Sequence, residues 1–484
     1  MRWTLEQVAK ALGVAPPAGT GSVARLAGVS IDSRTLKSGE LFVAIHGPRH
    51  DGHTFVAAAL AAGAPAAVVA RARLAEFPEA IRTRLLAVAD TLGALQELAR
   101  SVRRAWAATG SGRRMAAVTG STGKTTTKEI LAALLGARFR VLKSEGNLNN
   151  EYGLPLTLLK LDDEHGAAAV ELGMSHRGEI ARLAELAEPE VGVVTNVAPV
   201  HLEFFASVDE IALAKRELIE GLAGPQRVAV LNADDARVRA FAQGFRGRVL
   251  TFGFAADADF RAERIAERGA ERSAFDFVTP DGNARLELPL VGRHNIANAL
   301  AALAAASVWG IGTAEAREVF SQLKPAAMRG EVLRFAAGFA VINDCYNSNP
   351  LALGSMMELL VATPGYRRRI LAAGEMLELG PTSKELHRQA GRHAAEKRID
   401  WIFGVRGDAA ALVQGAVAAG HPAAQTKFFE SSERAAEFLP GFLAPGDLLL
   451  VKGSRGVKME RIVEAITARH APSAPVPAGQ GRRG

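Results

Sequence analysis

Lys124 and Thr125 close the run Thr119-Gly120-Ser121-Thr122-Gly123-Lys124-Thr125, whose residue types suit a bound polyphosphate. Gly120 and Gly123 permit the backbone conformations of a loop wrapped around a phosphate. A helix opening at the threonines would aim its free N–H groups and positive dipole end into that loop. Lys124 adds a point charge for the outer phosphates, and the Thr125 hydroxyl can ligate Mg²⁺. Val118 stands where a glycine would open a full G-x-x-x-x-G-K-T motif, so the loop is a shortened form.

Other chemistry-bearing residues follow apolar runs. Residues 167–170 deliver Glu171, and a carboxylate at the C-terminal end of a parallel strand beside a phosphate loop is well placed for Mg²⁺. Residues 191–195 deliver Asn196 and, after a short loop, His201, a candidate metal ligand. The helical stretch 208–218 carries Lys215, which read alone is a solvated helix charge. Asn147, Asn149 and Asn150 are close enough together to cap turns. In Gly292-Arg293-His294-Asn295-Ile296-Ala297-Asn298-Ala299 the spacing predicts a helix capped by Asn295. Asp32-Ser33-Arg34 reads as a capping turn or, with Ser30, as a set of donors for an anion.

These residues need parallel strands with helices between them, and the chain supplies that alternation. At 484 residues it has room for about three domains. Residues 1–110 read as a small N-terminal α/β domain with a strand at 66–69. Residues 111–325 read as a central P-loop domain on a mostly parallel sheet, with further strands at 116–118 and 228–231. Residues 326–470 read as a C-terminal, Rossmann-like domain with strands at 339–342, 370–373, 401–405 and 448–451, lacking a G-x-G-x-x-G fingerprint. Residues 471–484, rich in Pro, Ala and Gly, are expected to be a disordered tail. With 48% hydrophobic residues each domain can bury a core. No uninterrupted apolar stretch of ~18 residues suggests a membrane span, and the first residues lack the apolar core of a signal peptide. The single cysteine, Cys345, excludes an internal disulfide framework and fits a cytoplasmic location. The net charge of +7 comes without a basic block interleaved with aromatics, so nucleic acid is not an expected partner.

The shortened loop resembles that of the Mur ligase and folylpolyglutamate synthetase superfamily. The segments 29–34, 39–47 and 51–53 resemble the UDP-binding domain of Mur ligases in particular, which sets folylpolyglutamate synthetases aside. The resemblance implies ATP as cofactor and two Mg²⁺ ions. One ion would be held by Thr125 and Glu171, the other near His201 by a carbamylated Lys215. It implies that Ser30, Ser33 and Arg34 lie near the uridine diphosphate and that Asn147, Asn149 and Asn150 lie beside the substrate. His294, Asn295 and Asn298 would face the adenine, while Arg329 and Asp344 close over the nucleotide from the third domain. Asp344-x-Tyr346-Asn347-x-Asn349-Pro350, with Gly374-Glu375-Met376-x-Glu378-Leu379-Gly380 and His387, resembles the family members that take D-Ala-D-Ala. Under that resemblance Tyr346, Asn347 and Asn349 contact substrate. The implied reaction joins D-Ala-D-Ala to UDP-MurNAc-tripeptide through an acyl phosphate, on a monomer. Family members usually carry two acidic residues where this chain has Asn343-Asp344.

Overall fold

The computed structural model describes residues 3–17, 25–47, 50–110, 112–268, 272–324 and 326–473. Its strands gather into three sheets. In the first, β1 (Gly28–Ser30), β2 (Glu40–Val43), β3 (Ala67–Ala70) and β4 (Leu85–Val88) lie parallel in chain order.

In the second, β5 (Arg114–Thr119), β6 (Val141–Lys143), β7 (Ala167–Glu171), β8 (Val191–Val194), β9 (Val228–Asn232) and β10 (Arg248–Gly253) are parallel in the order 6-7-5-8-9-10. Both faces are covered, which is why β5, β7 and β8 are buried almost end to end, with continuous apolar centres instead of alternation. After β10 an Arg- and Glu-rich stretch extends the edge as β11 (Phe260–Arg268), β12 (Arg272–Thr279) and β13 (Gly282–Leu288), each antiparallel to the next.

The third sheet holds β14 (Glu331–Arg334), β15 (Ala340–Asp344), β16 (Arg368–Gly374), β17 (Trp401–Val405), β18 (Thr426–Phe429) and β19 (Asp447–Lys452), in the order 14-15-19-16-17-18. Only its edge strand β14 is antiparallel, and separate apolar clusters fill its two faces.

The first unit does not keep its core to itself. One cluster runs from Leu5, Val8, Leu95 and Leu98 into Leu154, Ile180 and Leu183 of the second. The helix Thr91–Ala108 forms the seam. Its Arg103 donates to the Ala187 and Glu188 carbonyls at 2.7 and 2.9 Å, and its Trp106 indole donates to the His165 carbonyl at 2.8 Å. At the other end of the chain, the first residues of the expected disordered tail, 471–473, are ordered against the third unit. The Ala336 N–H donates to the Ala471 carbonyl, and the Ser473 N–H to the Arg334 carbonyl at 2.8 Å. The rest of that stretch, 474–484, lies outside the described residues. Among the described residues no helix is long and apolar enough to cross a membrane.

Candidate active site

The phosphate loop leaves β5 between its neighbours β7 and β8, the place where an open parallel sheet forms a crevice. Two glycines shape it. Gly120 has φ +148°, and a Cβ there would fall on the Thr195 hydroxyl. Gly123 has φ +78°, and a Cβ would strike the Asn298 amide oxygen. Thr195 and Asn196, at the end of β8, brace the loop. The Thr195 hydroxyl donates to the Thr122 carbonyl at 2.6 Å, and the Thr122 N–H donates to Asn196 Oδ1 at 2.9 Å. Ser121 Oγ accepts from the Ala198 N–H at 2.8 Å, and the Thr119 hydroxyl donates to the Leu172 carbonyl. The helix Lys124–Gly136 starts here, with its first backbone bond from the Thr127 N–H to the Gly123 carbonyl. The preceding N–H groups therefore have no partner within the helix and face the loop.

Lys124 is half-buried and arches back, its Nζ donating to the Gly120 carbonyl at 2.8 Å. Burial lowers its pKa, and the Arg329 charge adds to that against the pull of Glu171. The Thr125 hydroxyl donates to Glu171 Oε2 at 2.6 Å, and Asn149 Nδ2 donates to Glu171 Oε1 at 2.8 Å. Arg329, from the third unit, donates to Thr125 Oγ1 at 2.9 Å while its guanidinium lies 4.0 Å over the Tyr346 ring. Loop, carboxylate and arginine thus meet at one threonine.

Three family models match the chain: a Mur ligase family catalytic domain over residues 25–103, a Mur ligase middle domain over 118–306, and a Mur ligase glutamate ligase domain over 328–455. A curated relative from Escherichia coli, a UDP-N-acetylmuramoyl-tripeptide–D-alanyl-D-alanine ligase, is 37% identical over 92% of this chain and 95% of its own. A relative of the same name from Bacillus subtilis is 34% identical over 90% and 92%. The chain belongs to the Mur ligase family. The crystal structure of MurF from Acinetobacter baumannii superposes with a TM-score of 0.85 at 32% identity, covering 97% and 99% of the two chains. A MurF ligase from Thermotoga maritima in complex with ADP gives 0.79 at 28% identity, covering 91% and 97%.

Elsewhere in this Mur ligase the other expected residues fall as follows. His294 and Asn298 lie on the helix Arg293–Ser307, but Asn295 does not cap it. Gly292 holds the cap position at φ 91°, and Asn295 sits inside the first turn, donating to the Val291 carbonyl at 2.8 Å. Asn298 Oδ1 accepts from the Thr127 hydroxyl, linking this helix to the phosphate-loop helix. Burial pushes the His294 imidazole down to about 4, so it is neutral near pH 7. Asp344 pairs with Lys452 across adjacent strand ends at 2.5 Å, and Lys452 also donates to the Asn347 carbonyl. Asn349 caps the helix Pro350–Ala362, and Asn150 accepts from the Gly153 N–H, so each also has a local structural bond. Asn147 is exposed. Ser30 and Arg34 both turn onto Asp32, and the Arg34 hydrogen bond holds the Asp32 carboxyl at about 2. Ser33 lies within the same turn.

His201 does not stand free. Its Nδ1 is 2.6 Å from Glu378 Oε2 of the third unit. Lys215 is only 2% exposed, and burial and then the Lys124 charge lower its amine pKa well below the usual lysine range. The solvated helix charge expected from the sequence is therefore corrected. Among the described residues no carboxylate pairs with Lys215, and no three His, Cys, Asp or Glu side chains converge as a metal cage. The motifs did not single out Lys452, which pairs with Asp344 and donates to the Asn347 carbonyl. Lys452 carried a signal, since it ends the apolar strand β19.

Proposed function

We propose that this chain is an ATP-dependent amide ligase that joins D-Ala-D-Ala to UDP-MurNAc-tripeptide through an acyl phosphate. It releases UDP-MurNAc-pentapeptide, ADP and phosphate in the cytoplasm. One observation carries the reading: Arg329, stacked on Tyr346 of the D-x-Y-N-x-N-P string, reaches the phosphate-loop Thr125 beside Glu171. The segment matching the D-Ala-D-Ala-adding members thereby closes on the ATP-loop corner. The named relatives, alike over nine-tenths of both chains, support the same substrates.

A carboxylate attacking a γ-phosphate approaches like charge, so the work falls to cations and positioning. Lys124 and Arg329 supply fixed positive charge, and the phosphate-loop N–H groups orient the nucleotide. Thr125 and Glu171 offer hard oxygens 2.6 Å apart, which suits Mg²⁺ with phosphates and water filling its remaining positions. Mg²⁺ at that corner would neutralise charge on the β- and γ-phosphates. Lys215, desolvated and with no carboxylate paired to it among the described residues, fits a carbamate better than an ammonium: the depressed amine pKa favours the free amine that takes up CO₂. His201 and the carbamate oxygens would hold the second ion. Ser30, Ser33 and Arg34 are assigned to the uridine diphosphate, Asn147, Asn149 and Asn150 to the peptide substrate, and His294, Asn295 and Asn298 to the adenine side. Asp344, with Tyr346, Asn347 and Asn349, completes the cover from the third unit. All of these sit in one chain, so we take the monomer as the working unit.

Incubation with ATP, UDP-MurNAc-tripeptide and D-Ala-D-Ala should yield a product heavier than the tripeptide by the dipeptide less one water. A mass spectrum showing only unchanged UDP-MurNAc-tripeptide would overturn the proposal.

A further inference from the structure

Glu375 and Glu378 lie in the string 374–380, and the roles assigned so far leave both without a task. Glu375 is used inside its own unit, where Oε1 accepts from the Asp408 N–H at 3.0 Å. Glu378 crosses to the second unit and pairs with His201 at 2.6 Å. Both partners are non-glycine residues in the left-handed region, Glu378 at φ 64° and His201 at φ 55°. Such a backbone costs energy and persists where its surroundings impose it, often at functional sites. Gly380, at φ 56°, lets the third unit approach the Leu202 carbonyl so closely that a Cβ would lie 3.1 Å from it. His201 is three residues beyond Ala198, whose N–H holds the phosphate-loop Ser121 hydroxyl. The Glu378 carboxylate is therefore held from the third unit against the segment 198–203, whose first residue braces the phosphate loop.

The charged side chains around the phosphate loop are Lys124, Arg329 and the Glu171 carboxylate. The two cations face the loop, and Glu171 has both oxygens occupied by Thr125 and Asn149. The nucleophile arrives as an ammonium and needs a carboxylate to draw it past those charges. Glu378 has one to offer. His201 engages only Oε2, Oε1 makes no hydrogen bond to any described residue, and the side chain is 49% exposed.

We propose that Glu378 receives the ammonium of the incoming dipeptide and holds its nitrogen beside the activated carboxyl group, with His201 fixing the carboxylate's orientation; the ammonium releases one proton to solvent, the free amine attacks the acyl carbon, and phosphate leaves as the amide bond forms. This rests on the amide-ligase reading. Glu378 is a positioning residue for the nucleophile, and it meets the groups proposed for ATP and metal only through His201 Nδ1, which leaves Nε2 for the second ion.

The test is steady-state kinetics on the full chain, comparing wild type with Glu378→Gln, which keeps the shape and an acceptor for His201. The KM for D-Ala-D-Ala should rise roughly 10- to 100-fold, the loss expected for one charge-assisted contact. The KM values for ATP and UDP-MurNAc-tripeptide should stay within about twofold of wild type, well inside that loss. Hydroxylamine, a neutral amine that removes the acyl group as a hydroxamate, should work equally well with both proteins. An unchanged KM for D-Ala-D-Ala, or a parallel rise in all three KM values, would overturn the proposal. Should the variant fail to fold, wild type alone decides. D-lactoyl-D-alanine, with a hydroxyl in place of the ammonium, should compete with D-Ala-D-Ala at least tenfold more weakly than the dipeptide binds, and equal affinity would overturn the inference. If wild type ignores D-Ala-D-Ala altogether, the ligase reading falls and this inference with it. If wild type is active and Glu378→Gln binds the dipeptide normally, only the inference falls.

Discussion

A lysine amine held away from water without a counter-charge is expensive to keep protonated. Lys215 is in that position, and Lys124 adds like-charge repulsion. The cost disappears if the functional group is a carbamate, whose negative charge then meets a cationic surrounding instead of joining it. Lys215→Ala should lose roughly 10²- to 10³-fold in turnover, as for removal of one well-placed electrostatic group. Acetate or formate should restore part of the loss by supplying a carboxylate. Lys215→Arg keeps a cation but cannot be carbamylated, so it should be as poor as the alanine variant. Near-normal turnover of Lys215→Arg in a coupled phosphate-release assay would show that the side chain only fills space.

At the scale of elements, Asn343 answers a question that its sequence position raises. On β15 it stands opposite Glu331 of β14, and its Nδ2 donates to Glu331 Oε2 at 3.1 Å. Two residues before Glu331 lies Arg329, between the left-handed Met328 and Gly330. An amide here holds the strand pair that carries the arginine, whereas an acid would set carboxylate against carboxylate. Asn343→Asp should destabilise the third unit by roughly 1–3 kcal/mol, the cost of an unpaired buried polar or charged group. Thermal unfolding checks this, and an unchanged melting temperature would count against it. The phosphate loop, Glu171 and the strands around them were legible in the sequence because each is a local pattern: an apolar run, a turn residue, then a helix start. Asn295 misled because the helix opens at Arg293, three residues earlier than capping by Asn295 needs. The β11–β13 extension was missed because its outward-facing charges break up the apolar pattern, although most of β12 is buried.

For the whole molecule, what could not be read in advance is how the three units meet. The Arg329–Thr125 and His201–Glu378 contacts join residues 204 and 177 positions apart, and no periodicity records such a pairing. The core shared across the helix Thr91–Ala108 was hidden for the same reason. If closure of the third unit on the loop assembles the site, Arg329→Ala should leave the fold intact and lower kcat/KM for ATP roughly 10- to 150-fold, the worth of a charge-assisted contact. An unaltered kcat and KM would detach Arg329 from the nucleotide. The central claim, that this architecture uses ATP to join two peptides, is tested most directly by phosphate release from purified protein with ATP and UDP-MurNAc-tripeptide, with and without D-Ala-D-Ala. Sustained release only when D-Ala-D-Ala is present is the predicted result, and equal release in its absence would contradict it.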